Sequence, residues 1–185
     1  MKNLLTTTFL ILILSTPLFG QSSEDKKFAV RTSIFAHALT YNLDKQNGVG
    51  VHFGQLSTDI NEDNIKKGVN SFTGVNYGYA FDCVNCDSFW ILTLLGLYSA
   101  VYTTDDDSTY SYSGWYLNVV GGYGWYFEND ISVIFGIGPS FGTGSKDSEN
   151  IKSNKGYGKD VEDRVKKLSF QPINSNPFFA VGYSF

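Results

Sequence analysis

The chain of 185 residues has little charge and little sulfur. Charged residues make up 17% of it, and it contains two cysteines and one methionine. Two cysteines exclude a disulfide-dense scaffold. The 16% of aromatic residues excludes a disordered chain, because disordered chains are poor in aromatics and rich in charge. A formal net charge of −4 makes nucleic acid a poor partner, and the length fits one domain.

Apolar runs long enough to cross a membrane as a helix are also missing beyond the N-terminus. Residues 4–19 carry no charge, follow the basic Lys2 and precede a polar stretch. A basic start, a short apolar core and a small residue before a polar stretch are typical of a secretory signal peptide. We therefore predict a signal peptide over residues 1–20 and a mature domain over 21–185. The alternative, an uncleaved anchor helix, needs an apolar run of ~20 residues.

Most of the mature chain alternates between bulky and small residues with a period of two, as β-strands do. Segments 73–81, 115–127, 131–141 and 179–185 each have one bulky apolar face and one face mostly of Gly, Ala, Ser and Asn. A soluble β-domain would instead place charged and polar side chains outward. Bulky apolar side chains outward and small ones inward fit a narrow barrel in lipid.

The pattern predicts an all-β fold, an antiparallel up-and-down transmembrane β-barrel of about eight strands. One assignment places the strands at 28–40, 48–56, 71–82, 89–103, 111–127, 131–142, 165–172 and 177–185. The second, which we prefer, makes 168–185 one long strand bent at a proline and takes the remaining strand from residues 22–35. In both, the charged segments 58–70 and 143–167 are predicted to be long loops.

The C-terminal strand shows a pattern with a known counterpart. Phe179, Val181, Tyr183 and Phe185 alternate along it, and Phe185 is the last residue. This strand resembles the closing strand of bacterial outer-membrane β-barrel proteins, and the hairpin over 121–138 resembles those of small OmpA/OmpX/OmpW-like barrels. The resemblance implies an outer-membrane location, contact with membrane lipid, and recognition of the four residues by the barrel-assembly machinery. We expect a monomer.

Three sets of residues carry candidate chemistry. Cys83 and Cys86 have redox-motif spacing but no βαβ context, so we predict a disulfide across a turn rather than a redox or metal site. His37 and His52 are predicted to be interior or rim residues, since no nucleophile elbow accompanies them. Arg31 is predicted to be an interior charge paired with an acid across the lumen.

These observations predict an integral outer-membrane β-barrel without enzymatic activity. Its role would be structural, a surface interaction, or a minor pore for small solutes, because eight strands leave little interior space. We expect no catalytic residue, no cofactor and no bound metal. Two alternatives stay open: a soluble periplasmic β-barrel that binds a small apolar ligand, and a lipid-modifying outer-membrane enzyme.

Overall fold

The computed structural model describes residues 26–33, 36–62, 64–152, 157–167, 170–171 and 178–185. The predicted signal peptide lies outside these ranges and stays a prediction. The described residues form these elements: β1 (Phe28–Thr32), β2 (Ala36–Asn42), β3 (Asn47–Glu62), β4 (Ile65–Ala80), β5 (Ser88–Thr104), β6 (Thr109–Tyr126), β7 (Ile131–Ile137), β8 (Ser140–Asn150), α1 (Gly158–Lys167), β9 (Phe170–Gln171) and β10 (Phe178–Ser184).

Eight strands close into a ring, so the predicted fold class is confirmed. Strands β1 to β7 neighbour one another in chain order, and β10 closes the ring between β7 and β1. Every one of these pairs is antiparallel. Strand β8 pairs with the part of β6 that lies beyond β7, and β9 pairs with β8. Strands β7 and β8 are therefore successive parts of one wall.

The described strands favour the preferred assignment, and the other is wrong at two places. The predicted bend at Pro172 or Pro177 lies outside the described residues and stays a prediction. Segment 28–40 is two antiparallel strands, because the chain turns back after Ser33, whose backbone N–H donates to the Ala36 carbonyl at 2.8 Å. Strands β9 and β10 pair with β8 and β7 in turn, so they follow the same wall rather than forming two neighbouring strands.

Both predicted long loops are largely regular structure. Strands β3 and β4 pair from Asn47 with Tyr79 up to Glu62 with Ile65, so segment 58–70 is the tip of a long hairpin. Segment 143–167 contains most of β8 and the helix α1. These parts are polar because they extend past the apolar zone of the barrel, and a polar composition alone does not prevent strand pairing.

The two ends of the barrel differ. The near end holds Phe28 and Phe185, which exchange backbone hydrogen bonds, and the turns 43–46, 81–87 and 127–130. The far end holds the tips of the β3–β4 and β5–β6 hairpins and α1. Strands β3 to β6 are 16–18 residues long, whereas β1 and β2 have 5 and 7. The wall is therefore much taller on one side.

The predicted assignment of faces is confirmed by the exposure of the side chains. Alternate residues along the strands point away from the lumen and are exposed although they are large and apolar, for example Phe89 and Leu97, each 64% exposed. We call this set the outer belt: Leu39, Val49, Val51, Phe53, Val75, Tyr77, Phe89, Ile91, Leu95, Leu97, Trp115, Trp125, Phe135, Ile137, Phe179 and Val181. Within the described ranges, no helix is long and apolar enough to cross a membrane.

Candidate functional site

The lumen encloses a cavity of about 430 Å³, within the usual size range of small-ligand sites. Its described lining differs between the two sides of the ring. Strands β1 to β4 contribute most of the polar groups, together with the apolar Leu56 and Phe72. Strands β5, β6, β7 and β10 contribute most of the apolar groups, together with the polar Tyr116, Asn118 and Tyr126 of β6. The polar side includes Arg31, Thr40, His52 and Asn76, and the apolar side includes Trp90, Leu92, Leu94, Val120, Ile134 and Phe178.

Arg31 is the one permanently charged side chain among the described lining residues. Its Nη1 donates to Thr40 Oγ1 at 3.0 Å, and its Nη2 donates to the Tyr126 hydroxyl on β6 at 3.3 Å. The side chain crosses Gly182 of β10, where an added Cβ would lie 3.0 Å from Arg31 Cγ. The interior position agrees with the sequence-based prediction, but the described partners are hydroxyls rather than the expected carboxylate.

His52 is 4% exposed and faces the lumen. Its Nε2 is hydrogen-bonded to the Tyr116 hydroxyl, and the two rings meet edge-on with centroids 5.8 Å apart. Asn76 is 6% exposed, and its Oδ1 and His52 Nδ1 are buried without a hydrogen-bond partner among the described residues. Buried polar atoms without a partner are uncommon in folded proteins. We call the wall that carries His52 and Asn76 the polar pole of the cavity.

His37 lies beside the outer-belt residue Phe53 in the register of β2 and β3, and it also borders the cavity. Its Nδ1 is hydrogen-bonded to Thr32 Oγ1 at 3.2 Å, and its ring lies 5.5 Å from that of Phe53. Both histidines therefore border the cavity, but their described hydrogen-bond partners differ. Sequence reasoning missed Tyr116 as the partner of His52, because a pairing between β3 and β6 depends on the curvature of the ring.

The apolar pole is built around Trp90. Its ring meets that of Phe178 edge-on, with centroids 5.9 Å apart. Two glycines make room for the indole: a Cβ added at Gly122 or at Gly136 would lie 2.8 Å from its ring atoms. The indole Nε1–H of Trp90 is buried without a protein partner. The alternation of small and bulky residues in the sequence therefore reflects packing across the lumen as well as contact outside it.

The near end is closed by what we call the floor, the turn over 81–87. Cys83 and Cys86 are joined by a disulfide, and Asn85 between them is 8% exposed. Asn85 Oδ1 accepts hydrogen bonds from Ser184 Oγ at 3.2 Å and from Asn42 Nδ2 at 3.4 Å. Its Nδ2 donates to the Lys26 carbonyl at 3.1 Å. The turn thus folds across the opening and is attached to three other parts of the barrel.

The far end carries what we call the cap, the helix α1 and the strand residues under it. Val161 and Val165 pack in one apolar cluster with Ile65, Ala100, Tyr102, Tyr110 and Tyr112. Burial raises the pKa of the Tyr102 hydroxyl above its usual value. The Asn64 side chain donates to Asp160 Oδ2 on the helix at 3.1 Å. Because Val165 also lines the cavity, the cap bounds the lumen at this end.

The residues of the predicted assembly signal lie along β10, and Phe179 among them also borders the cavity. Phe179, Val181, Tyr183 and Phe185 face outward along β10, and their recognition by the assembly machinery stays a prediction. Asp106 caps its own turn, since it accepts hydrogen bonds from Thr104 Oγ1 at 2.7 Å and from the Ser108 backbone N–H at 3.1 Å. The described part of the chain holds no group of three or more His, Cys, Asp or Glu residues that could bind a metal ion.

Comparison with known proteins finds no matching family model and no matching curated protein. Among solved structures, the chain is similar to CarO of Acinetobacter baumannii at 10% sequence identity and a TM-score of 0.39. That likeness covers 89% of this chain and 100% of the other. The fold described above rests on the strand pairing of this chain itself.

Proposed function

We propose that the protein is an integral β-barrel of the bacterial outer membrane, exported by its N-terminal segment and without enzymatic activity. The observation that carries the proposal is the outer belt. Its members come from β2 to β7 and from β10, and they include Phe53, which is 54% exposed, and Val75, which is 56% exposed. A soluble monomer rarely exposes so extended an apolar surface, because it favours aggregation in water. In a bilayer, the same surface would contact the hydrocarbon tails of the lipids.

The closed ring supports the same conclusion. Inside a bilayer every backbone N–H and C=O group needs a partner within the protein, and a closed antiparallel ring provides one for each strand edge. Strand length is also sufficient on the tall side, because a spanning β-strand needs ~9–11 residues and β5 has 17. Because β1 and β2 are short, the wall of the barrel is lowest next to β10.

The distribution of polar residues supports an orientation. On β3 the outward side chains change from the apolar Val51 and Phe53 to the polar Ser57 and Asp59 towards the far end. In small barrels of this kind the short turns face the periplasm and the larger extensions face outside. We therefore place the near end in the periplasm and the far end, with the cap, at the cell surface.

The floor and the cap favour a structural or surface-interaction role over that of a small-solute pore. Val84 and Cys83 of the floor and Val165 of the cap all line the lumen, so both ends are narrowed by protein. The proposed absence of enzymatic activity is supported by the described hydrogen-bond partners of the two histidines, which are the hydroxyls of Thr32 for His37 and of Tyr116 for His52.

Fractionation combined with heat-modifiable electrophoresis tests the proposal. The full chain is expressed with its N-terminal segment, the membranes are separated, and boiled and unboiled samples are compared. Recovery in the outer membrane with a change of mobility on boiling is expected. Recovery in the soluble periplasmic fraction without such a change would contradict it and favour a soluble ligand-binding barrel.

A further inference from the structure

We propose that the lumen binds a small amphipathic carboxylate, with the carboxylate against Arg31 and the apolar body against the opposite wall. The inference depends on the cavity and its lining. It does not depend on the membrane location, so either proposal can fail while the other stands.

The first argument concerns charge. A guanidinium is always ionised, and an ionised group inside a protein is costly unless an opposite charge or several hydrogen bonds compensate it. Arg31 has five N–H donors, and its described partners are the hydroxyls of Thr40 and Tyr126. No aspartate or glutamate is among the described residues that line the cavity. Among the described residues, the lumen therefore has one fixed positive charge and no carboxylate that would neutralise it.

The second argument concerns access. Arg31 is half-buried rather than enclosed, and it lines the cavity. The neighbouring Thr40 and Tyr126 hydroxyls are polar groups that can also bond an anion's oxygens. A carboxylate matches this site because Arg forms bidentate, charge-assisted hydrogen bonds with that group. The guanidinium would repel a cationic ligand.

The third argument concerns the other wall. Leu92 and Leu94 of β5 are half-buried and face the cavity, with Trp90 and Phe178 beside them. When an apolar ligand covers apolar surface that is still exposed inside a barrel, the burial of that surface favours binding. A cavity of about 430 Å³ holds more than an isolated anion, so a medium-length alkyl or aromatic body is the matching class.

Calorimetric titration of decanoate into the folded protein tests the inference. The protein is held in lipid nanodiscs if it is recovered from the membrane, and in buffer if it is recovered in the soluble fraction. Decanol serves as the uncharged probe of equal chain length, and empty nanodiscs correct for partition into lipid. We expect saturable binding of decanoate, with decanol at least about tenfold weaker, because one charge-assisted contact is lost. Equal affinity for the two probes, or only non-saturable uptake equal to that of empty nanodiscs, would overturn the proposal.

Two variants locate the site. Arg31→Gln removes the charge and keeps a shorter polar side chain, and it should weaken the binding of decanoate at least about tenfold while leaving that of decanol unchanged. Lys66→Gln, which removes an exposed cation at the far end, is the matched control and should bind decanoate as the parent does. An unchanged affinity in Arg31→Gln would overturn the proposal.

Heat-modifiable electrophoresis shows whether each variant has folded. Leu94→Trp provides a second line of evidence if Arg31→Gln does not fold, since it fills the open part of the apolar wall without touching the charge. It should reduce the affinity for decanoate and leave that for the shorter butyrate unchanged. Equal binding of decanoate by Leu94→Trp and the parent would contradict the placement of the apolar body.

Discussion

Ser184 Oγ donates a hydrogen bond of 3.2 Å to Asn85 Oδ1, which joins the last strand to the middle of the disulfide turn, 99 residues away in the chain. Both residues are buried, at 2% and 8% exposure. The floor is therefore not a surface loop but a buried part of the near end. Its position depends on side-chain hydrogen bonds as well as on the Cys83–Cys86 bridge.

Asn85→Ala should destabilise the near end by about 1–3 kcal/mol, because it leaves buried partners without hydrogen bonds. The free energy of unfolding in urea, followed by the electrophoretic mobility of the folded form, measures the effect. Asn129→Ala, an exposed asparagine of the turn between β6 and β7, is the control and should change it little. Equal effects of the two variants would argue against a buried role for Asn85.

Val51→Lys should reduce membrane assembly, since a lysine in the outer belt near the centre of a bilayer costs ~2–4 kcal/mol. Val51 is 51% exposed and faces outward on β3. Ser57→Lys on the same strand and face, but beyond the belt, should assemble as the parent does. The folded fraction recovered in the membrane measures both, and a similar loss in both variants would speak against the belt as a lipid contact.

Gly74→Ala should weaken the wall between β4 and β5. A Cβ there would lie 2.2 Å from the Leu95 carbonyl oxygen and 2.6 Å from Gly96 Cα, and both are backbone atoms that cannot move aside alone. Overpacking of this kind costs about 1–3 kcal/mol. Gly121→Ala, where no atom lies within 4 Å of the new Cβ, is the control. Urea unfolding should separate the two variants, and equal midpoints would contradict the close approach.

Val161→Asp should release the cap while the ring stays folded. Val161 is fully buried in the far-end cluster, and an unpaired carboxylate there is costly. Hydrogen exchange of the α1 amides should increase, with no change in heat-modifiable mobility. Asp163→Asn on the exposed face of the helix is the control. Unchanged exchange in Val161→Asp would contradict the packing of α1 on the strands.

The turn between β2 and β3 should show a dependence on acid pH. The Asp44 carboxylate accepts hydrogen bonds from the backbone N–H of Gln46 and from the backbone and side chain of Asn47, each at 2.8 Å. These bonds, that from Gln46 foremost, lower the pKa of Asp44. A carboxyl group whose pKa is lower in the folded state stabilises it above the unfolded pKa, and this contribution is lost as the pH falls through the folded value.

Carboxyl resonances followed by NMR should therefore give Asp44 a midpoint below that of an aspartate in an unfolded peptide. Exchange protection of the turn amides should decrease over the same acid range. In Asp44→Asn that decrease should be absent, because the side chain no longer titrates. A midpoint at the ordinary aspartate value would refute the assigned hydrogen bonds.

The alternation of residue sizes predicted the ring and its two faces because side chains along a strand alternate with a period of two. That rule alone predicts that Val133 and Phe135 face outward and that Ser132 and Gly136 face inward. It did not predict the bulky lumen residues of β5, Trp90, Leu92 and Leu94. The number of strands followed less directly, since the turn at Ser33 separates two short strands without a strong turn signal.

Other features could not be predicted from local sequence. The charged helix α1 has Val161 and Val165 as its inward apolar pair, a signal too short to separate a helix from a charged loop. The two poles of the lumen depend on which strands face each other across the ring. Arg31 meets Tyr126, and His52 meets Tyr116, only after the sheet has closed.

The seam between β1 and β10 has a kinetic consequence. Neighbouring strands from β1 to β7 are consecutive in the chain, whereas β1 and β10 are far apart in it. They pair only over Ala29 to Thr32 and through the backbone hydrogen bonds between Phe28 and Phe185. Contacts between distant segments form slowly, because a long loop must close first. Until β10 arrives, the sheet has two unpaired edges, which are templates for association with other chains. The time before closure is therefore the period in which this chain is most exposed to aggregation.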